Sequence, residues 1–250
     1  MGDDSQILCL PLEILNEIRS YLNYNSMCNL MLVSKGWKEV WENPFLWSEF
    51  KLEQHFYLES KDKNDLENIL KTRRFSELRS VRIPILDEDI LTVISKNMNI
   101  RNLEIVKVED NINKDKFADV LSTLESIELI GKYYDDEHES ETEWLTALFE
   151  KIIDDEGELS KVKKLVLQCT LTSINCRLMV KCFNQLEDLF LYGPSLTSDQ
   201  TFSFFKCTAV QTNLRKIEFH SWDFSHVDTE LIALVFSKME KVVLGNTIDI

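Results

Sequence analysis

The C-terminal part of the chain repeats one hydrophobic pattern, with apolar residues at the first, fourth and sixth of six positions. Seven copies lie between residues 78 and 250, and they begin 22 to 28 residues apart except for one interval of 38. A pattern that returns every roughly 20 to 50 residues predicts a repeat architecture. The alternating apolar positions within each copy predict a strand. The copies are Leu78-Val81-Ile83, Ile100-Leu103-Ile105, Leu124-Ile127-Leu129, Val162-Leu165-Leu167, Leu186-Leu189-Leu191, Leu214-Ile217-Phe219 and Met239-Val242-Leu244.

Between the copies, apolar residues recur at helical spacing, so each unit is predicted to contain a strand, a turn and a helix. The series resembles the leucine-rich repeats. The resemblance implies an α/β repeat over residues 78–250, a short irregular horseshoe of about seven units with parallel strands on its concave face and helices on its convex face. The apolar helix positions are Ile90, Leu91 and Ile94; Trp144, Leu145, Leu148 and Phe149; Ile174, Leu178 and Cys182; Leu231, Leu234 and Val235.

The long repeat interval contains an acidic segment at residues 135–143. Blocks of like charge repel and rarely pack, so we predict a solvated loop there. The alternative is a dock for a basic partner.

Residues 8–50 have a different pattern, that of three short helices. Asn25 and Ser26 are expected to cap the second helix, and Ser34 is expected to cap a third that ends before Pro44. Three small helices cannot hide all these apolar side chains, so some are expected to contact a partner. The first helix has its apolar face at Leu12, Ile14, Leu15, Ile18 and Leu22.

The order and spacing of these residues closely resemble the F-box family. The resemblance rests on Leu10 to Leu15, on Val33-Ser34-Lys35-Gly36-Trp37 and on Pro44-Phe45-Leu46-Trp47. It implies a Skp-type adaptor as partner and, through it, a cullin-RING ubiquitin ligase. For Trp37 and Ile18 the alternative to an adaptor contact is a place in the internal core of the three helices. Residues 51–77 are expected to form a fairly rigid helical linker. The implied adaptor contacts are Leu10, Pro11, Ile14, Leu15, Leu30, Val33, Leu46 and Trp47.

The residues between the buried strand positions are predicted to face the concave side, because side chains alternate along a strand. Phe190 and Tyr192 are expected beside His220 on the next strand, and exposed aromatic residues near charges are typical of interfaces. The alternative is that an insertion or the acidic segment covers them. The predicted substrate-binding residues are Lys164, Asp188, Phe190, Tyr192, Lys216, Glu218 and His220.

Composition narrows the possible partners and compartments. The chain has 28 Lys and Arg against 43 Asp and Glu, a formal charge of −15, which argues against nucleic acid as the main partner. No apolar stretch approaches the roughly 18 residues of a membrane span, and no export or lipidation signal is visible. Six cysteines without a Cys-x-x-Cys pair, together with the absence of an Asn-x-Ser/Thr sequon, fit a reduced cytoplasmic or nuclear compartment.

The sequence contains no recognisable catalytic or metal-binding motif. The glycines are too sparse for a phosphate-binding loop, and the His138-Glu139 pair lacks the second histidine of a zinc site because Thr142 stands in its place. Cys182 continues an apolar helix face and is predicted to be a core thiol rather than a thioester-forming nucleophile. We therefore expect no enzyme activity, cofactor or metal.

Together the two resemblances imply the substrate-recognition subunit of a Skp–cullin–RING ubiquitin ligase, with the F-box holding the adaptor and the repeats holding the protein to be ubiquitinated. The alternative is an acidic leucine-rich-repeat module that binds basic proteins without a ligase. The sequence does not identify the substrate.

Overall fold

The chain folds around one sheet of eight strands, whose order in the sheet is their order along the chain. Every neighbouring pair is parallel. The strands are β1 (Glu49–Lys51), β2 (Ser80–Leu86), β3 (Asn102–Val108), β4 (Ser126–Ile130), β5 (Lys164–Gln168), β6 (Asp188–Tyr192), β7 (Lys216–His220) and β8 (Lys241–Gly245). The computed structural model describes residues 9–51, 70, 72–96, 99–109, 111–130, 138–154, 161–168, 173–192, 198–220, 224 and 227–245.

All seven predicted repeat strands are present, and helices connect them to give an α/β repeat horseshoe. The apolar positions of the first six copies are buried between the sheet and the helices. The seventh copy lies on the edge strand β8, where Leu244 is 56% exposed. The helices are α4 (Glu88–Ser95), α5 (Lys114–Thr123), α6 (His138–Asp154), α7 (Ser173–Cys182), α8 (Ser198–Thr208) and α9 (Thr229–Phe236).

Most predicted helix core positions are buried, but Leu178 and Leu231 are half-buried and two others are exposed. Ile174, in the first turn of α7, is 53% exposed, and Leu234 of α9 is 50% exposed. Both helices are short, and helical spacing alone does not show how far an apolar stripe turns away from the sheet.

The predicted acidic loop is in part a helix. Helix α6 begins at His138, so residues 138–143 are helical, whereas residues 131–137 lie outside the described residues. Acidic residues are favoured near a helix N-terminus because the backbone dipole is positive there. This preference outweighs the repulsion on which the loop prediction rested.

The N-terminal residues form the three predicted helices, α1 (Leu12–Ser20), α2 (Tyr24–Val33) and α3 (Lys35–Trp41). Ser34 caps α3 as predicted, since its hydroxyl accepts a hydrogen bond from the backbone N–H of Trp37. The predicted cap of α2 was wrong. Asn23 caps that helix, and its side-chain oxygen accepts from the backbone N–H of Ser26 at 2.8 Å. A short 3-10 helix, Pro44–Trp47, follows α3.

The helical unit is joined to the repeats through one continuous core. Strand β1 follows the helices directly and pairs with β2, with Phe50 opposite Val81. Phe75 packs edge-on against Phe50 and Trp47, at ring-centroid distances of 5.0 and 5.1 Å. Of the predicted linker 51–77, residue 51 belongs to β1 and Arg73–Phe75 form a 3-10 helix, while residues 52–69 and 71 lie outside the described residues.

Candidate functional site

The helical unit exposes an unusual amount of apolar surface. Six of the eleven exposed large hydrophobic side chains among the described residues lie between residues 12 and 45. Exposed apolar patches on a folded protein often mark sites of contact with a partner. The six residues and their exposures are Leu12 37%, Ile14 48%, Tyr21 79%, Leu32 85%, Val33 79% and Phe45 58%.

Only some of the predicted adaptor contacts are available on this surface. Pro11, Ile14 and Val33 are exposed, and Leu10 and Leu30 are half-buried. The other three, Leu15, Leu46 and Trp47, are 7%, 0% and 0% exposed and pack inside the chain, so they present little surface to a partner. Leu32 and Phe45, which were not among the predicted adaptor contacts, are more exposed than most of those contacts.

Trp47 is buried because it links the helical unit to the first repeat. Its indole N–H donates a 2.6 Å hydrogen bond to the carbonyl of Trp41, and the guanidinium groups of Arg19 and Arg74 lie 5.9 and 5.7 Å from its ring centroid. Burial lowers the pKa of the Arg19 guanidinium, which donates a hydrogen bond to the carbonyl of Glu49. Of the two core alternatives, Trp37 stacks on Trp41 at 5.6 Å, and Ile18 is half-buried against the core.

The second candidate surface is the concave face over β5 to β8. The strand register aligns the residues that lie between its buried positions in rows. The alternation places Pro84 of β2 and Val166 of β5 at such positions too, but both are buried. The first row is Lys164, Asp188, Lys216 and Lys241; the second is Val166, Phe190, Glu218 and Val243; the third is Tyr192, His220 and Gly245.

Phe190 lies near two lysines on its neighbouring strands. The Nζ atoms of Lys164 and Lys216 are 5.2 and 4.2 Å from the centroid of its ring. An ammonium group within about 6 Å of an aromatic centroid is attracted to the electron-rich face of the ring. This part of the predicted substrate-binding set is therefore an ordered cluster.

Glu218 is the polar centre of the remaining predicted residues. Its Oε1 accepts a 3.1 Å hydrogen bond from the Tyr192 hydroxyl and lies 2.8 Å from Nε2 of His220, and its Oε2 lies 3.8 Å from Nζ of Lys216. Burial alone would raise the pKa of Glu218, but the hydrogen bonds from His220 and Tyr192 and the nearby positive charges together lower it. Burial, followed by the charge of Glu218, raises the pKa of Tyr192 to about 12.

The His220 ring is held between Tyr192 and Gly245. It stacks on Tyr192 at a centroid distance of 4.3 Å and an interplanar angle of 21°. A Cβ atom on Gly245 would lie 2.2 Å from Nδ1 and 2.3 Å from Cε1 of His220, far inside van der Waals contact. Position 245 therefore has to lack a side chain for the ring to take this position.

Gly245→Ala should displace the His220 ring and lower the free energy of unfolding by about 1 to 3 kcal/mol, the usual cost of overpacking. In Gly245→Ala/His220→Ala the clash is absent, so the two substitutions should be strongly non-additive in a double-mutant cycle. Urea denaturation of the four chains measures this coupling. Additive effects would contradict the contact.

The other end of the concave face carries more negative charge. Arg82 pairs with Glu104 at 3.0 Å across β2 and β3, and Glu128 follows on β4. Burial, followed by the charge of Glu104, raises the pKa of Glu128. The two ends of the face therefore differ in the charge that they present.

The described residues contain no group of metal-ligating side chains that could hold an ion, and no described helix has the length and apolarity to cross a membrane. Cys182 is 1% exposed, as predicted for a core thiol, and burial raises its pKa to about 12. A thiol that stays protonated is a poor nucleophile, which argues against a thioester role.

Comparison with known families identifies the helical unit. Residues 7–53 match the F-box-like family model, and the match does not extend into the repeats. No curated protein matches the chain.

Proposed function

We propose that this chain is the substrate-recognition subunit of a Skp–cullin–RING ubiquitin ligase. It has an F-box-like domain at its N-terminus, and F-box domains generally bind Skp-type adaptors. The observation that carries the proposal is the exposed apolar surface of that domain, at Ile14, Leu32, Val33 and Phe45. An adaptor interface requires apolar side chains that are exposed to water when the domain is free.

The proposed adaptor contacts are the predicted residues that remain accessible, together with the newly exposed ones. Burying one such aliphatic side chain contributes about 1.5 to 3 kcal/mol before the costs of association. We do not include Leu15, Leu46 and Trp47 among the direct contacts because they are buried. Their proposed role is to hold the exposed surface in place by packing beneath it. The proposed contacts are Leu10, Pro11, Leu12, Ile14, Leu30, Leu32, Val33 and Phe45.

We assign substrate binding to the concave face over β5 to β8, at Lys164, Asp188, Phe190, Tyr192, Lys216, Glu218 and His220. Under this proposal the chain has three parts, an F-box at residues 8–50, a linker at 51–77 and repeats at 78–250. It performs no chemistry itself, since ubiquitin transfer belongs to the other subunits. It acts in the cytoplasm, the nucleus or both.

The experiment is co-expression of the full chain with a Skp-type adaptor, followed by affinity capture at moderate and at high salt. Apolar contacts persist when salt screens charges, so the complex should survive high salt. Leu10→Ala/Pro11→Ala should reduce capture by about tenfold or more, while urea denaturation shows that the repeats remain folded. Undiminished capture of that variant, or no capture of the parent chain, would sink the proposal.

A second candidate function is an acidic interaction module that binds basic proteins. The formal charge of −15 favours it. Binding of that kind depends on Coulomb attraction and should weaken steeply as salt rises. A chain that fails to bind the adaptor but binds basic proteins at low salt would support this alternative.

A further inference from the structure

The cluster formed by Lys164, Phe190 and Lys216, here called the lysine–phenylalanine strip, presents two ammonium groups beside one aromatic ring. Both Nζ atoms are measured to the same ring centroid, at 5.2 and 4.2 Å, so they lie at most about 9 Å apart. The side chains come from three adjacent strands, β5, β6 and β7, whose backbones are fixed by the sheet. The spacing of the three backbone positions is therefore set by the fold.

The chain's own carboxylates do not fully neutralise this strip. Asp188 lies between the two lysines in the strand register, yet among the described residues it forms no ion pair with either. Glu218 lies 3.8 Å from Lys216, but its Oε1 is already engaged by Tyr192 and His220. Among the described residues Lys164 forms no ion pair, although its charge acts on the carboxylate of Glu128 on β4. Lys241 adds a further exposed lysine in the same row.

Two ammonium groups at this spacing can hold one anionic group between them. Charge-assisted hydrogen bonds from nitrogen to a carboxylate or phosphate oxygen are about 2.8 Å long, so one anionic group reaches both lysines when their Nζ atoms approach each other, and two adjacent anionic groups can span a wider separation. The half-buried ring of Phe190 within the strip, and the stacked Tyr192 and His220 beside it, offer apolar contact. The surface thus combines a cationic pair with an aromatic platform.

We propose that the lysine–phenylalanine strip binds an extended acidic peptide, with an anionic side chain between Lys164 and Lys216 and an apolar side chain on the aromatic surface. This deepens the substrate assignment made under the proposed function and rests on it. Charge complementarity selects the occupant, because the strip is locally basic in a chain of net charge −15. The same net charge disfavours a nucleic acid, whose long phosphate backbone would meet repulsion beyond the strip.

The test measures fluorescence anisotropy of four short labelled peptides with the full chain. The peptides alternate leucine with glutamate, phosphoserine, glutamine or lysine, so they differ only in the charged position. We expect the glutamate and phosphoserine peptides to bind at least about tenfold more tightly than the glutamine and lysine peptides. The ratio of the dissociation constants of the glutamate and phosphoserine peptides shows whether a carboxylate or a phosphate is the better ligand.

Charge reversal locates the binding. Lys164→Glu/Lys216→Glu should lose binding of the acidic peptides by about tenfold or more and gain binding of the lysine peptide. The matched control, Lys181→Glu/Lys206→Glu, makes the same change of charge at exposed lysines of α7 and α8 and should leave the peptide preference unchanged. If charge reversal impairs folding, Lys164→Gln/Lys216→Gln keeps the length of the side chains and should still lose the acidic preference.

Equal binding of all four peptides, binding of none, or equal loss in the control variant would overturn the proposal. Adaptor capture of the Lys164→Glu/Lys216→Glu chain is a separate readout, because neither lysine belongs to the F-box-like domain. Normal capture with no acidic peptide binding defeats only this inference. Failed capture by the parent chain defeats the ligase assignment, whatever the peptides do.

Discussion

Val33→Asp should strongly weaken binding of the Skp-type adaptor without unfolding the chain. Val33 is the last residue of α2 and is 79% exposed, so the native structure loses almost no packing. An aspartate at a helix C-terminus costs less than about 1 kcal/mol through the backbone dipole. In the adaptor complex, by contrast, it would bury an unpaired charge against apolar side chains, so the affinity should fall by about a hundredfold. Co-expression capture and isothermal titration calorimetry measure the loss.

The repeats supply a matched control for this experiment. Val210 is 74% exposed and lies outside the F-box-like domain, so Val210→Asp makes the same chemical change at nearly the same exposure. It should leave adaptor binding unchanged. If both variants bound the adaptor as the parent does, the exposed face of α2 would not be the adaptor surface.

Trp47→Ala should act through stability instead, lowering the free energy of unfolding by about 3 to 5 kcal/mol. The side chain is fully buried, its N–H donates to the carbonyl of Trp41 at 2.6 Å, and its ring lies 5.1 Å from Phe75 and 5.9 Å from Tyr24. The substitution leaves a cavity at the point where the helices contact the first repeat. Urea denaturation followed by tryptophan fluorescence and by circular dichroism measures the change.

Two further substitutions separate the causes of this loss. Trp47→Phe keeps most of the ring but removes the hydrogen bond, so it should cost about 1 to 3 kcal/mol. Phe45→Ala removes a neighbouring aromatic ring that is 58% exposed and should change stability by no more than about 0.5 kcal/mol. A Trp47→Ala chain as stable as the parent would show that the buried position is wrong.

The repeats were predictable because their hydrophobic pattern carries most of the information. An apolar residue at alternate strand positions can be satisfied only by a core on one side, so all seven predicted strands formed in the predicted order. The same alternation predicted the neighbouring positions of Tyr192 and His220, but it did not predict that Pro84 and Val166 are buried. Helix faces were less well predicted, as the exposed Ile174 and Leu234 show.

The F-box-like domain was predictable as a set of helices but not as a surface. Sequence spacing does not tell whether an apolar side chain meets a partner or its own core. Leu46 and Trp47 were assigned to the adaptor, but both are fully buried, and Tyr24 and Phe75 pack edge-on against the Trp47 ring. The short pattern Glu49-Phe50-Lys51, in which only the middle residue is buried, was the available signal for β1, and it is too brief to distinguish a strand from a turn.

The hydrogen-bond network around Glu218 could not be predicted, because it depends on atomic distances across strands far apart in sequence. Register places Tyr192 opposite His220. That both side chains hydrogen-bond to Oε1 of Glu218 depends on their rotamers, which the sequence does not give. The requirement for glycine at position 245 is likewise a property of the His220 ring position.

Because β1 belongs to both the F-box-like domain and the sheet, the sheet fixes the distance from that domain to each later strand. Five strand spacings of about 4.8 Å separate β1 from β6, which puts Phe190 about 24 Å from the first strand along the sheet. Inserting or deleting one repeat between them would change that offset by about 5 Å without altering either end. In a ligase whose other subunits are fixed by the adaptor, repeat number would then decide which lysines of a bound protein come within reach of the transferred ubiquitin.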